Sequence, residues 1–308
     1  MTGYLLRRLA QAIPIALLVA TLVFSLIHLI PGDPVALMLG DGARPADVEQ
    51  LRHDLGLDQP LWRQYTDFLT GLVQGDLGSS LHYGRPVTSL MAEHYPATLE
   101  LALASMLVAL LLAVPLGILA ALYRDRWIDH VSRFFALLGV SIPNFWLGPV
   151  LILLFAIHWN VLPVSGREGV TSLILPAITL GTALAGLLTR MVRSSLAEEL
   201  EKPYMVTARA KGVHRRRAVL IHAMKNALIP VITVVGLQFG ALLTGAIITE
   251  TIFSWPGLGR LLIQAIRLRD YPLVQGGVLL IAITYVVVNL LTDLLYAWLD
   301  PRIRYEKA

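Results

Sequence analysis

The sequence of 308 residues contains no cysteine, which excludes disulfide bonds and thiol chemistry without indicating the redox state of its compartment. It also has no G-x-x-x-x-G-K-S/T segment, the glycine-rich loop with which P-loop ATPases hold nucleotide phosphates. Charged residues make up only 15% of the chain. A soluble domain of this length would need more polar surface than that to cover itself.

Long apolar segments account for the shortage of charge. Apolar residues make up 56% of the chain, and the mean hydropathy is +0.67. Six segments have the length needed to cross a bilayer as helices. They lie at about Leu9–Ile30, Thr98–Leu122, Phe134–Ile157, Leu173–Val192, Ala227–Ile248 and Leu273–Trp298. The first is interpreted as a retained helix, because its apolar core is too long for a signal peptide and no small-residue cleavage site follows.

The distribution of basic residues predicts the orientation in the membrane. Seventeen of the 25 Lys and Arg residues fall at the termini and in the two loops on the same side as the termini. By the positive-inside rule, that side is cytoplasmic. The three arginines between Arg260 and Arg269 are a local exception. Arg215, Arg216 and Arg217 are interpreted as a topology anchor that contacts anionic headgroups, and no nucleic acid is expected as a partner.

Residues 31–97 are predicted to form a small extracytoplasmic cap made of helices. Pro45 and Gly56 delimit one helical pattern. A second pattern starts at Pro60 and places five apolar side chains on one face, namely Leu61, Tyr65, Phe68, Leu69 and Val73. The segment carries nine acidic residues against four arginines. Its acidity suits docking of a partner, or it keeps the outer surface soluble, and both interpretations remain open.

A short helix is predicted between the fourth and fifth segments, with Pro203 at its first position and Gly212 just past its end. Glu198, Glu199 and Glu201 precede it and Lys211 lies in its last turn, as the helix dipole favours. Its small apolar face comprises Met205, Val206, Ala208, Ala210 and Val213. Such a helix at the membrane surface either docks in a groove of a partner or is a solvated loop whose arginines fix topology.

The chain resembles the permease subunits of bacterial ABC importers of the dipeptide, oligopeptide and nickel class, over essentially its whole length. The motifs that carry the resemblance occur in order along the chain. They are LIHLIPGDP (Leu26–Pro34), GLDQPLWRQY (Gly56–Tyr65), GDLGSS (Gly75–Ser80), PATLELA (Pro96–Ala102), GVSIPNFWLG (Gly139–Gly148), ILPAITLG (Ile174–Gly181), TARAKG (Thr207–Gly212), KNALIPVIT (Lys225–Thr233), IFSWPGLGRLL (Ile252–Leu262), RDYPLVQ (Arg269–Gln275) and LDPRIRY (Leu299–Tyr305).

The resemblance implies that the short helix is the coupling helix, which docks on an ATPase subunit. In such permeases a Glu-Ala-Ala signature precedes a glycine, and here only Ala208 and Gly212 keep the pattern. Val206 and Thr207 occupy the first two positions, so the usual glutamate is missing. The expected docking residues are Tyr204, Thr207, Ala208, Ala210, Lys211, Gly212 and Val213.

The resemblance also implies the assembly and its task. The chain would be the first of two permeases and would work with two ATP-binding subunits and an extracytoplasmic solute-binding protein by alternating access. ATP and Mg²⁺ would bind the partner subunits, and this chain would hold no cofactor and no metal. The substrate is expected to be a short peptide, with glutathione, nickel and other small solutes open as alternatives.

The fold class expected is an all-α integral membrane protein of six transmembrane helices with the helical cap between helices 1 and 2, in the bacterial inner membrane. The predicted parts are a cytoplasmic N-terminus with the first helix (1–30), the cap (31–97), a permease core (98–298) with its coupling loop (194–226), and a cytoplasmic tail (299–308).

Polar residues within the later segments are candidates for the pathway. Gln238, Thr244 and Asn289 either line it or hydrogen-bond between helices. The resemblance implies that the loop holding Trp255, Pro256, Gly257 and Gly259 faces the translocation entrance and could act as an outer gate. An ion-coupled carrier is less consistent with the chain, because its carboxylates near the segments lie towards their ends. A membrane enzyme is disfavoured because no nucleophile–base pairing is visible.

Overall fold

The computed structural model describes residues 2–29, 35, 39, 44–54 and 56–299. Within these helices, the side chains of 2–9, 12, 26–29, 51, 244, 245 and 296–299 lie outside the described part. The regular secondary structure of the described residues is helical. The one β-bridge among them is isolated and joins Ser79 and Pro86. The predicted all-α class is therefore confirmed.

The helices of the described part range from 3 to 36 residues in length. In chain order they are α1 (Thr2–Leu29), α2 (Pro45–Asp54), α3 (Leu61–Gln74), α4 (Val87–Leu122), α5 (Trp127–Ser141), α6 (Asn144–Leu151, continued by a π-helical segment Ile152–His158), α7 (Val170–Glu201), α8 (Pro203–Ala210), α9 (Arg215–Arg217, continued by a π-helical segment Ala218–Ala223), α10 (Met224–Ile252), α11 (Leu258–Arg267) and α12 (Tyr271–Leu299).

Four described stretches are long and apolar enough to cross a membrane, which confirms the membrane class. They correspond to the second, fourth, fifth and sixth predicted segments and run Val87–Leu122, Val170–Glu201, Arg215–Leu243 and Tyr271–Leu295. In α1 the apolar stretch found among the described residues, Ile13–Ser25, is shorter than a crossing.

The third predicted segment is not one straight helix. The axes of α5 and of the following helix through His158 are bent by 100° at a short break. Ile142 is extended there, with φ −84° and ψ 117°, because the ring of Pro143 disfavours the helical region for the residue before it. Counted as one crossing, the bent pair brings the total to five among the described residues.

Two compact units can be described separately. The first comprises residues 98–255 and 287–299 of the described part, and its helix α7 packs along α5 and α10. Helices α5 and α7 approach closely at glycines, since a Cβ on Gly139 would lie 2.7 Å from the carbonyl oxygen of Thr182. In the same unit Gly236 of α10 faces the side chain of Thr292, so a larger residue at this position would collide with α12.

The second unit comprises residues up to 97 and residues 256–286. Its core is made of buried apolar side chains from three helices, namely Val87, Leu90, Met91, Leu258, Leu261, Ala265 and Leu273. Asp270, 1% exposed, accepts a hydrogen bond from the hydroxyl of Ser80 and 3.3 Å bonds from the backbone N–H groups of His82 and Leu273. This buried carboxylate joins two loops of the unit.

Helices α2 and α3 form where the sequence predicts the cap helices. Gly56 and Gly75 follow them with φ of 64° and 76°, the left-handed conformation that ends helices. Helix α3 carries the five predicted apolar side chains on one face, but they are not equally buried. Tyr65 packs edge-on against Phe24 of α1 with ring centroids 5.2 Å apart, whereas the outer residues of the pattern, Leu61 and Val73, are exposed. The middle of the face is half-buried and its two ends are exposed.

Candidate functional site

Helix α8 begins and ends where the start and stop signals in the sequence predict. Pro203 occupies the first helical turn after Lys202, whose ψ of 146° is extended. Beyond the last helical residue, Gly212 has φ of 81°, as its predicted place past the helix end requires. The N–H of Val213 donates to the carbonyl of Ala208 at 3.1 Å and closes the end. The predicted helix is therefore confirmed.

The side chains of α8 divide between the protein interior and solvent. Met205 is 1% exposed and fixes the helix to the unit, together with the half-buried Ala208. Val206 is 67% exposed, and Thr207 and Ala210 are also exposed. The expected apolar face is thus split, because Met205 faces inward and Val206 outward. What α8 presents to solvent is a surface of small side chains together with the exposed Arg209.

Glu199 at the end of α7 holds the start of α8 in place. Its carboxylate, in a residue only 8% exposed, accepts hydrogen bonds from the hydroxyl of Tyr204 at 2.6 Å and from the ammonium of Lys202 at 2.5 Å. The amide of Asn226 lies 3.4 Å from the same hydroxyl. Burial raises the pKa of Tyr204, and the bond to Glu199 raises it further, so the phenol remains a donor.

Sequence reasoning placed Glu199 only as a charge near the helix dipole and missed this role. Tyr204 was expected among the docking residues, but its hydroxyl is engaged inside the unit. Of the other expected docking residues, Thr207, Ala210, Lys211 and Gly212 are exposed, whereas Ala208 and Val213 are half-buried.

A second polar group ties α5 to α7. The carboxylate of Asp129, which is fully buried, accepts two 2.7 Å hydrogen bonds from the guanidinium of Arg193. Arg133 adds an ion pair at 3.2 Å, and the backbone N–H of Asp125 donates at 3.0 Å. Paired bonds between a guanidinium and a carboxylate are strong and directional, so this group fixes the angle at which the two helices meet. The sequence contained no signal that pairs Asp129 with Arg193, although Arg133 follows Asp129 by one helical turn.

The pathway candidates lie on two helices of the first unit. Gln238 on α10 and Asn289 on α12 are half-buried, and the side chain of Thr244 lies outside the described residues. The Oδ1 atom of Asn289 is buried and finds no hydrogen-bond partner among the described residues. Thr292, one turn further along α12, packs against Gly236. The structure thus leaves one candidate, Asn289, with an unsatisfied polar atom inside the helix bundle.

The gate candidates have separate environments. Trp255 is fully buried, and its backbone N–H donates to the backbone carbonyl of Glu250 at 2.8 Å. The guanidinium of Arg167 lies 5.9 Å from the centre of its ring. In the second unit, Pro256 is half-buried and Gly257 is the extended residue before α11. Gly259 lies in the first turn of α11.

One buried carboxylate near Trp255 also went unassigned. Glu250 is fully buried and accepts a 2.7 Å hydrogen bond from the hydroxyl of Thr98. Elsewhere, the described residues include no group of three or more His, Asp or Glu side chains able to hold a metal ion. The site is therefore made of a presented helix and its polar supports.

The comparisons with known proteins agree on one family. A model described as "Binding-protein-dependent transport system inner membrane component" matches residues 113–305, and its N-terminal counterpart matches residues 1–102. The dipeptide transport system permease protein DppB of Escherichia coli K12 is 45% identical over an aligned length of 339 residues, covering 100% of both chains. The glutathione transport system permease protein GsiC of Pectobacterium atrosepticum is 45% identical over 306 residues, covering 99% of this chain and 100% of its own.

Solved structures support the fold. The MetNI methionine ABC transporter in inward-facing conformations has a chain that matches with a TM-score of 0.54 and 18% identity, over 68% of this chain and 96% of that one. An amino acid ABC transporter matches with a TM-score of 0.51 and 17% identity, over 70% and 94%. The protein therefore belongs to the family of binding-protein-dependent transport system inner membrane components, as an ABC importer permease of the dipeptide class.

Proposed function

We propose that this chain forms half of the translocation pathway of an ATP-driven importer, paired with a second permease. In this proposal two ATP-binding subunits and an extracytoplasmic solute-binding protein complete the assembly. The chain crosses the inner membrane six times, with α1 as the first crossing, a cap between the first two, and both termini in the cytoplasm. The excess of basic residues on that side supports this orientation.

The observation that carries the proposal is the presentation of α8. A helix of eight residues, anchored by Met205 and by the Glu199 group, exposes Val206, Thr207 and Ala210 to solvent. Small side chains let a partner's groove approach the helix backbone closely. A rigidly held helix also transmits a push, whereas a solvated loop would absorb it. We therefore assign α8 as the coupling helix that docks on an ATP-binding subunit.

The polar contacts of Glu199 and Asp129 connect α8 mechanically to the other helices of the bundle. When ATP draws the ATP-binding subunits together, α8 moves with its docking groove. Glu199 passes the displacement to α7 through its bonds to Lys202 and Tyr204. The Asp129–Arg193 group passes it from α7 to α5. The bundle then opens outward, and hydrolysis in the partner subunits resets it.

We further propose that the chain itself performs no covalent chemistry and holds no cofactor. ATP and Mg²⁺ belong to the ATP-binding subunits in this scheme. Gln238, Thr244 and Asn289 remain our candidates for the lining of the pathway. The unpartnered Oδ1 of Asn289 supports its inclusion, because a buried polar atom without a partner suits a surface that meets solute, water or a second subunit.

The proposed substrate class is short peptides. The permease that transports dipeptides and the one that transports glutathione, a tripeptide-like solute, are similar to this chain to the same extent. Glutathione or nickel as the cargo is the alternative. The binding protein is expected to make the selection, since it meets the solute first.

The test is ATP-dependent uptake of a labelled dipeptide by the assembled complex in proteoliposomes. Ala210→Glu should lower uptake at least about 10-fold, because a carboxylate placed in an apolar docking groove loses its hydration without gaining a partner. Ala92→Glu, the same change at an exposed alanine of α4, is the matched control and should transport within about twofold of the parent. Normal uptake by an assembled Ala210→Glu complex would refute the coupling assignment.

A further inference from the structure

A groove in the first unit combines apolar walls with two arginines. It has a volume of about 440 Å³, within the range of roughly 300–1,000 Å³ that is usual for small-molecule sites. One wall is the end of α4 and the other is α9 with the π-helical segment after it. The lining side chains that matter here are Ile118, Leu122, Tyr123, Arg215, Arg216 and Leu220.

The groove lies where two membrane-crossing helices reach the same surface of the bilayer. The crossing stretch of α4 ends at Leu122, and the stretch that leads into α10 begins at Arg215. Ile118 and Leu220 are therefore on the membrane side of the groove, about one turn inside each helix end. Taking Leu122 and Arg215 as the ends of the two crossing stretches places Tyr123, Arg215 and Arg216 at the level of the headgroups. The apolar part of the groove thus faces acyl chains, and its polar mouth faces phosphates.

The charge at the mouth is uncompensated within the described part of the chain. Arg215 and Arg216 are exposed, and neither forms an ion pair with a described carboxylate. A guanidinium presents donors that match phosphate oxygens. Tyr123 is 39% exposed, and tyrosine is enriched at this depth because its ring is apolar and its hydroxyl is wet. Together these side chains offer donors and positive charge to one anionic group.

We propose that this groove is a binding site for an anionic phospholipid. The phosphate lies between Arg215 and Arg216, Tyr123 donates to it, and an acyl chain lies against Ile118 and Leu220. A free phosphate would leave the apolar half of the groove unfilled, and an acidic protein surface would have to enter the membrane to fill it. Because α8 and α9 are joined by a short loop, the bound lipid also fixes the segment behind the coupling helix.

The experiment measures phosphatidylglycerol retained by the purified, assembled complex, using native mass spectrometry during titration with that lipid. The double variant Arg215→Gln, Arg216→Gln should bind about 30-fold more weakly, given what two basic residues contribute at an anionic surface. Arg217→Gln is the matched control, because Arg217 is exposed on the same turn but does not line the groove. It should retain the lipid like the parent. Phosphatidylcholine should not replace phosphatidylglycerol, and millimolar inorganic phosphate should not displace it.

A second variant keeps the test valid if the double variant does not assemble. Ile118→Trp fills the apolar wall and leaves both arginines, and it too should reduce retention. If Arg217→Gln and the double variant lost phosphatidylglycerol equally, the lipid would be held by general attraction to basic residues. That result would overturn the specific site in the groove. Unchanged binding by Ile118→Trp would overturn the acyl-chain contact. Loss of the ATP-binding subunits from the double variant with its lipid retained would assign the arginines to a protein partner instead.

Discussion

At Gly212 the backbone conformation, and not a lack of space, requires glycine. Its φ of 81° lies in the left-handed region, while a Cβ added there would meet no atom within 4 Å. The N–H of Gly212 donates to the carbonyl of Arg209 at 2.9 Å and so helps to end α8. A β-branched residue is strained in this conformation, whereas asparagine adopts it with little cost. The end of the coupling helix thus depends on one dihedral angle.

Two substitutions at this residue separate conformation from side-chain size. Gly212→Asn should retain ATP-dependent dipeptide uptake within about threefold of the parent. Gly212→Val should lose most of its uptake. Valine in the left-handed conformation is strained by roughly 1–3 kcal/mol, which destabilises the end of this short helix. Uptake and membrane insertion are measured together for both variants. If valine and asparagine transported equally well, the conformation of Gly212 would have no part in coupling.

Residues with local roles were predictable, and residues with distant partners were not. Pro203 and Gly212 follow rules that hold within one helix and its next residues. The partners of Asp129 and Tyr204 include Arg193 and Asn226, which lie far along the chain. No spacing rule identifies such pairs, because they exist only after the helices have packed. The pairing of Asp129 with Arg193 therefore emerged from the structure alone, whereas Glu199 is only three residues from Lys202 and five from Tyr204.

At the scale of helices, α5 and α7 are held by two kinds of contact. Gly139 and Gly186 let the backbones approach, and Asp129 adds the buried ion pair with Arg193. The ion pair between Arg124 and Glu201, by contrast, is exposed at both side chains although its atoms are 2.7 Å apart. When one partner of a buried pair is removed, the other charge is left without solvation. When one partner of an exposed pair is removed, water solvates the remaining charge.

The two ion pairs should differ in their effect on stability. Asp129→Ala should destabilise the chain by about 3 kcal/mol or more, because Arg193 loses its partner beside a buried site. Glu201→Ala should change stability by less than about 1 kcal/mol. Thermal unfolding of the purified complex compares them directly. Equal midpoints for the two variants would show that the Asp129 group does not hold α5 on α7.

The bend after α5 shows the limit of reading helices from hydropathy. Pro143 marks the break, and the apolar run from Phe134 to Ile157 was predicted as a single span. The 100° change of direction depends on how each helix packs, with α6 and its π-helical extension placing Ala156 against Leu175 and Phe253. Hydropathy measures length and composition, so it cannot distinguish a straight crossing from a broken one.

At the scale of the whole molecule, the central structural prediction is the orientation of the chain in the membrane, with α8 on the cytoplasmic side. Composition was sufficient to predict a membrane protein, because crossing segments differ from all soluble helices in length and hydropathy. Orientation depends on the bilayer and on the basic residues at its faces.

An impermeant thiol reagent applied to intact spheroplasts should label Ser79→Cys but not Lys211→Cys, both of which replace exposed residues in a chain without native cysteine. The reverse pattern would place α8 outside and end the coupling assignment.

The most direct test of the account is a crosslink from α8 to its partner. Thr207→Cys, carrying a photoactivatable thiol-reactive crosslinker, is irradiated in membranes that contain the whole transporter. Because Thr207 is exposed on a firmly held helix, we predict an adduct with an ATP-binding subunit and none from Ala92→Cys on α4. An assembled, transport-competent complex in which Thr207→Cys yields no such adduct, or yields it no more than Ala92→Cys, would contradict the assignment of α8 as the coupling helix.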